Sequence, residues 1–363
     1  MPLRVGIDIS AIPYGRGVSR YTSNLVRALV KEKEVAVRMM GYSFRQQHQL
    51  RDFSFQTCPG CVKKILPHPA KVMNILWNDL HKVSPEFFLG DIQVFHSWDF
   101  QPPLHKAALV STIHDLAMLR YPKIADPYMF SVHKKSWNHL KKEAKAIIAI
   151  SQATKNDIVE LLGIAAEKVF VVHEALPEEA MVEVDDAQKE VVLNKFNLTS
   201  KPLFFFLGTF EPRKNLPRLV EAWRKLSKDF ELVLAGGVGW EEIKPEPGLH
   251  LLGPITSFEA AALYKSSSAF MYPSLYEGFG LPILEAFFHS TPVVTSKISS
   301  MPEIGGNAAV YVDPFEVESI RSGMEKAVQK RQELIELGKN QLKLFSWEKA
   351  AKETIEVYKK AVL

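Results

Sequence analysis

Short apolar segments of strand length alternate with stretches of helical periodicity along all 363 residues. This alternation restricts the fold more than any other feature of the chain. Strands separated by helices do not pair as hairpins; they build a mainly parallel sheet covered by helices on both faces. The first half offers strands at Arg4–Ile9, Val35–Met40, Gln93–His96, Leu109–Ile113, Ala146–Ile150 and Val169–His173. The second offers Leu203–Gly208, Glu231–Gly236, Leu249–Leu252, Ala269–Tyr272, Pro292–Thr295 and Ala309–Val312. The chain is long for one core, and the acidic, strand-free stretch Pro177–Glu190 separates the two sets. The expectation is two doubly wound α/β domains of similar size, 1–185 and 186–345, followed by a terminal helical segment, 346–363. In that segment Ala350, Ala351, Ile355, Val357, Tyr358 and Val362 recur at roughly helical spacing.

The most specific chemistry lies in Ser274–Pro282, S-L-Y-E-G-F-G-L-P, with Glu285 following. Gly278 and Gly280 permit sharp turns after the strand ending at Tyr272, and Pro282 suits the first turn of a helix. The free N–H groups of such a start favour an anion, and glycines let a phosphate come close. Glu277 and Glu285 would repel that phosphate, so they are better placed to accept hydrogen bonds from the hydroxyls of a sugar and a ribose. A sugar nucleotide is the ligand this pattern suggests.

Glu-Gly-Phe-Gly-Leu-Pro followed by Glu-Ala resembles the paired-glutamate signature of the retaining glycosyltransferases of family 4. The resemblance implies a GT-B fold, in which two Rossmann-like domains face one another and a terminal helix crosses back to the first. It also implies transfer of a hexose from a nucleoside diphosphate sugar to a hydroxyl of a saccharide or lipid-linked acceptor. Glu277 would then be a donor-binding and electrostatic residue, and Glu285 would hold the ribose, with Phe279, Gly280 and Leu281 around the nucleotide. Glu211-Pro212-Arg213-Lys214-Asn215 looks like the family's diphosphate motif. A guanidinium fork and a compact ammonium at a strand's carboxyl end suit a diphosphate, and they would stabilise it as a leaving group without a divalent metal. No cofactor is expected.

The loop Ser10–Tyr21 resembles the family's Gly-rich loop, with Gly15 and Gly17 approaching donor or acceptor. It lacks a third small residue, Arg20 standing there, and no acidic residue ends the next strand, which argues against a dinucleotide dehydrogenase. His114, in Thr112-Ile113-His114-Asp115-Leu116, resembles the family's cleft histidine near the donor sugar. Asp115 would orient it or cap the next segment, and His96 is placed similarly on weaker grounds. By resemblance, backbone groups near Ile255 meet the base, and Glu303 is structural. Thr-Ile-His-Asp-Leu together with Glu-Pro-Arg-Lys-Asn is similar to bacterial mannosyltransferases of surface polysaccharides, which makes GDP-mannose the favoured donor, with UDP-glucose, UDP-N-acetylglucosamine and dTDP-rhamnose left open. An epimerase or hydrolase on the same fold, or a non-catalytic sugar-nucleotide-binding partner subunit, are the alternatives. One departure stands out: Ser290 occupies a position where the family usually has glycine.

Residues 1–170 carry 23 Lys and Arg against 14 Asp and Glu, whereas residues 186–363 carry 22 of each. The excess gathers at His133–Lys142, where Trp137, Leu140 and Ala144 share a helical side flanked by lysines. That pattern fits a helix resting on an anionic membrane surface, or a solvated basic face packed on its own domain. No apolar run reaches the roughly 20 residues that span a bilayer, and Met1-Pro2-Leu3-Arg4 leads straight into a strand. A cytoplasmic enzyme, peripheral at the inner face of the membrane at most, is expected, with no nucleic-acid partner. Cys58 and Cys61 are read as reduced thiols in a mobile surface excursion, Tyr42–Pro69, because two thiols cannot close a four-ligand zinc site.

Overall fold

The computed structural model describes residues 1–15, 17–98, 100–122, 126–198, 201–237 and 239–363. It contains two sheets in which every paired strand is parallel. The first comprises β1 (Leu3–Asp8), β2 (Val35–Tyr42), β3 (Lys63–Leu66), β4 (Val94–Ser97), β5 (Ala108–Ile113), β6 (Ala146–Ala149) and β7 (Val169–Val171), in the order β3-β2-β1-β4-β5-β6-β7. The second comprises β8 (Leu203–Leu207), β9 (Glu231–Ala235), β10 (Leu249–Gly253), β11 (Ala269–Tyr272), β12 (Val293–Ser296) and β13 (Ala309–Val312), in the order β10-β9-β8-β11-β12-β13. The central strands β4, β5, β6, β9, β11 and β12 are buried at every residue. Burial on both faces explains why they read as unbroken apolar runs. In each sheet the strand order reverses once, between β1 and β4 and between β8 and β11. Loops at such a reversal diverge and leave a crevice at the strands' carboxyl ends, where ligands of open α/β sheets bind.

The chain separates into two compact units, Met1–Glu174 with Ser346–Leu363, and Ala175–Phe345. The terminal helix Trp347–Ala361 thus belongs to the first unit. It buries Trp347, Ala350, Ala351, Thr354, Ile355, Val357, Tyr358 and Ala361, and Trp347 meets the edge of Tyr21 on the helix Gly17–Leu29 with ring centres 5.8 Å apart. Val362, part of the expected stripe, falls beyond the end of the helix and is exposed.

Tyr42–Pro69 is not the surface excursion expected. It forms the helix Gln47–Thr57, which buries Leu50 and Phe53, and the edge strand β3 beside β2. Lys63-Lys64-Ile65-Leu66 escapes notice because an edge strand needs no continuous apolar run; only Leu66 is fully buried. Cys58 and Cys61 are joined by a disulfide, their Cα atoms 5.4 Å apart across the turn between that helix and β3. This corrects the reading of two reduced thiols.

The helix Pro127–Glu143 settles the basic stretch. Val132, Ser136, Trp137 and Leu140 are buried, and Trp137, Leu140 and Ala144 pack with Leu109, Ile113 and Ile158 in the core of the first unit. The apolar stripe is therefore used internally, leaving Lys134, Lys135, Lys141 and Lys142 exposed.

Ser290 follows the helix Leu281–Phe288 with φ 55°, the left-handed geometry that ends many helices and favours glycine. A side chain there costs about 1–2 kcal/mol, while glycine loses roughly 0.5–1 kcal/mol through its freer unfolded chain. Ser290→Gly should therefore stabilise the second unit by about 0.5–1 kcal/mol, read calorimetrically as a rise of about 2 °C in its melting temperature. A fall would show that the serine side chain contributes more than its strain.

Candidate active site

The two loops that leave the second sheet at its reversal, one from β8 and one from β11, carry Arg213-Lys214 and Glu277. Pro212–Lys214 forms a single 3-10 turn ended by Asn215 at φ 61°. The Asn215 side chain fixes this bend by donating to the carbonyls of Pro273 at 3.1 Å and Pro314 at 2.6 Å. Opposite it, Leu275 N–H donates to the Arg213 carbonyl at 2.7 Å.

Lys214 Nζ donates to Glu277 Oε1 at 2.6 Å and to the Tyr272 hydroxyl at 3.0 Å. Arg213 Nη1 donates to Glu277 Oε2 at 2.6 Å and to the Tyr276 carbonyl at 3.2 Å, while its Nε donates to Glu211 Oε2 at 2.8 Å. Glu277 and Lys214 are only 7% and 6% exposed. Burial alone would raise the Glu277 pKa, but the adjacent Arg213 and Lys214 charges overcome it and hold the carboxyl at about 2. Burial pushes Lys214 below the usual lysine range, against the pull of Glu277.

The backbone of Glu277 is pinned as well. Its N–H donates to Ser299 Oγ at 3.1 Å, and its carbonyl accepts from Ser299 Oγ at 2.7 Å and Ser300 Oγ at 3.0 Å. Ser300 Oγ also donates to the Phe279 carbonyl at 2.6 Å. Gly280, at φ 118°, then opens the helix Leu281–Phe288, with Pro282 in its first turn. Glu285, one turn in, is 5% exposed and accepts from the Tyr264 hydroxyl at 3.1 Å.

A neighbouring Gly-rich loop supports the cations. A Cβ on Gly236 would lie 2.0 Å from the Gly208 carbonyl oxygen, so the chain after β9 presses directly on the loop that leads to Arg213. Glycine is the residue that tolerates both this approach and its φ of 134°. Ile255, half-buried, lies just beyond β10.

In the first unit, Gly15 takes φ 67° after the 3-10 turn Ile12–Tyr14, and Gly17 begins the helix Gly17–Leu29; Arg16 lies outside the described residues. His114 follows β5. Its Nδ1 lies 3.2 Å from Glu174 Oε1, and its ring meets the edge of Tyr21 with centres 4.7 Å apart. Nε2 is buried with no protein hydrogen-bond partner. Asp115 does not orient it; Asp115 Oδ1 accepts from Ala117 N–H at 2.9 Å and caps the following turn. His96 is fully buried, between the Tyr358 hydroxyl at 2.7 Å and Thr112 Oγ1 at 2.8 Å. Burial, aided by His114, lowers its pKa to about 3, so it stays neutral and ties the terminal helix to β4 and β5.

The structure brings Arg213, Lys214 and Glu277 together and sets His114 beside Glu174 in the other unit; sequence reasoning did not single out their partners Glu174, Tyr272, Ser299 and Ser300. The hydroxyl-rich Ile298-Ser299-Ser300 ahead of Met301 and the Gly-Gly pair ending β9 were the available signals.

Residues 15–179 match the family described as Glycosyltransferase Family 4, and residues 188–344 match Glycosyl transferases group 1. The chain belongs to the family 4 glycosyltransferases and has the GT-B type of fold. It is 28% identical to O-antigen chain mannosyltransferase B of Escherichia coli, over 94% of this chain and 96% of that protein. It is 30% identical to the serotype-specific mannosyltransferase WbdA of Escherichia coli over 68% of this chain, which is 33% of that longer protein. Among solved structures, a glycosyltransferase from Rickettsia africae superimposes with TM-score 0.74 at 15% identity, over 99% of this chain and 98% of that one. WaaG, a glycosyltransferase involved in lipopolysaccharide biosynthesis, does so with TM-score 0.64 at 14% identity, over 97% and 99%. The two structures bear on the fold alone.

A carboxyl with a depressed folded pKa contributes stability that is present above its unfolded value, near 4.5, and is lost as pH falls toward 2. The second unit should therefore lose melting temperature between pH 4.5 and pH 2. Calorimetry across that window should show a shallower loss in Glu277→Gln, whose side chain does not titrate. Equal slopes would mean that Glu277 is not held ionised by its neighbours.

Proposed function

We propose that this chain is a retaining, metal-independent mannosyltransferase that moves mannose from GDP-mannose to a hydroxyl of a saccharide or lipid-linked saccharide. The observation that carries the reading is the meeting of Arg213, Lys214 and Glu277 at the strand-order reversal of the second sheet. The mannosyltransferase names of the relatives support the sugar.

In this reading the donor's diphosphate takes the place of the Glu277 carboxylate on Lys214 and Arg213. Two cations facing Glu211 and Glu277 are neutral as a set, so an incoming diphosphate gains most by exchanging with a carboxylate. Glu277 is then released toward the hydroxyls of the mannose. Glu285 meets the ribose, Gly280 and the amides of Leu281 and Phe279 approach the nucleotide, and backbone near Ile255 meets the base. His114, its Nδ1 fixed by Glu174, offers Nε2 to a sugar hydroxyl, and Gly15 and Gly17 leave room for substrate.

The bond from the anomeric carbon to the diphosphate oxygen breaks as the acceptor oxygen bonds on the same face, passing through an oxocarbenium-like state. The acceptor proton goes to the departing phosphate oxygen. Arg213 and Lys214 stabilise the charge growing there, which is the part a divalent metal would otherwise play.

The test is incubation of the purified protein with GDP-mannose and saccharide acceptor in EDTA, with product configuration read by proton NMR and donor class by thermal shift. An α-linked product and stabilisation by guanine nucleotides are expected. An inverted product, or stabilisation only by uridine nucleotides, overturns the corresponding part. Glu277→Ala should lower turnover more than about tenfold with the fold intact; near-normal activity removes Glu277 from the reaction.

No helix among the described residues is long and apolar enough to cross a membrane. We place the protein in the cytoplasm, with contact to an anionic membrane surface made electrostatically through Lys134, Lys135, Lys141 and Lys142, because the apolar side of that helix is buried. Replacing the four by Gln should reduce co-sedimentation with phosphatidylglycerol vesicles at low salt. Undiminished co-sedimentation rejects this surface.

A further inference from the structure

A second cluster in the first unit uses none of the residues assigned above. His139 and Glu143 stand one turn apart on the helix Pro127–Glu143, and His81 reaches them from the turn after Ile75–Asp79. His81 Nε2 lies 2.9 Å from Glu143 Oε2, and His139 Nδ1 lies 3.4 Å from Glu143 Oε1. One ligand atom from each residue falls within 4.8 Å of the others.

Hydrogen positions decide what this arrangement needs. The outer nitrogen of each ring faces a backbone carbonyl: His81 Nδ1 lies 2.9 Å from the Trp77 oxygen, and His139 Nε2 lies 3.0 Å from the Asn78 oxygen. A carbonyl only accepts, so each outer nitrogen carries the hydrogen. A singly protonated ring then turns a bare lone pair toward Glu143, whose ionised oxygens also only accept. Acceptors converge with no hydrogen among them. The two rings lie face to face, with centres 4.1 Å apart and planes 5° from parallel, so their inner nitrogens and the carboxylate line one small space. One cation held there would engage all three groups at once.

We propose that His81, His139 and Glu143 bind a zinc ion. Two imidazole nitrogens and a carboxylate oxygen suit zinc, with solvent completing four-coordination. The carbonyls of Trp77 and Asn78 fix the required tautomers, as outer-shell partners of zinc-bound histidines do. Bonds of about 2.0–2.1 Å in a tetrahedral site separate donor atoms by about 3.4 Å, so donors that now lie within 4.8 Å of one another must draw together by at most about 1.4 Å. The rings must also fan apart from parallel so that each plane passes through the ion. Side-chain exposures of 26% for His81, 21% for His139 and 36% for Glu143 leave room for that rotation and a route for the ion.

Strain is concentrated at the same turn. His81 has φ 49° and the β-branched Val83 has φ 70°, and such backbone persists where surrounding contacts over-determine it, ligand clamps included. The ion would staple this turn to the helix as a structural cross-link.

The experiment is calorimetric titration of untagged, EDTA-stripped and dialysed protein with zinc sulfate at pH 7.5, alongside His81→Ala and Glu143→Gln. One ion per chain is expected, raising the melting temperature, with affinity reduced by at least about tenfold in both variants. Absence of saturable binding to the unaltered chain, or binding that survives both substitutions, overturns the site. Circular dichroism checks that the variants fold. Independently, cobalt(II) bound to the unaltered chain should absorb as a four- or five-coordinate nitrogen and oxygen complex; the spectrum of the hexaaqua ion would equally reject it.

Discussion

The second unit is organised around a buried ion triad in which Glu277 receives both Arg213 and Lys214. A charge taken out of water is tolerated only with close partners, so none of the three can shift without leaving another exposed to an apolar surround. That requirement couples the loops after β8 and β11, because each carries one side of the pairing. Asn215 and the two serines at positions 299 and 300 then work on the backbone, setting where the carboxylate and the cations meet. The core strands beneath are anchored on both faces and supply a fixed base for these contacts.

On the proposed reading this triad exchanges one partner for another, since both cations point toward a carboxylate, a group that a phosphate oxygen can imitate. A nucleoside diphosphate would then meet donors already placed and partly desolvated, with the displaced carboxylate tethered nearby. Preorganised donors of this kind need little rearrangement as charge develops on a leaving group. In the first unit, the His114 imidazole has one nitrogen engaged by Glu174, the other without a protein hydrogen-bond partner, and aromatic walls from Tyr21 and Trp98.

What the sequence made legible follows from the range of the interactions. The central strands could be read because burial on both faces leaves an apolar run, and the start of the helix at Leu281 because Gly280 and Pro282 act locally. Arg213, Lys214 and Glu277 were found through motifs, each confined to a few residues. Glu174 was missed since its partner stands 60 residues earlier, and nothing near it in the chain marks the pairing. Strand β3 was missed because an edge strand with two lysines satisfies its sheet on one side only. The basic helix was legible as amphipathic but not as to what covers its apolar side, which is a tertiary question. Ser290 was recognised as a departure from glycine, and the left-handed backbone there supplies the reason glycine suits the position.

The terminal helix gives the molecule an order of assembly. Tyr358 reaches back 262 residues to hydrogen-bond His96, and Trp347 packs against Tyr21. During synthesis the second unit has its whole chain available once Phe345 has emerged, whereas the first, although it begins earlier, lacks its final layer until the last turn of helix is released. Until then the sites that Trp347 and Tyr358 fill lie uncovered on a sheet that is otherwise formed. The half of the protein made first is thus completed after the half made second, and a ribosome stalled within the helix Trp347–Ala361 would leave that half, rather than its younger neighbour, open to aggregation.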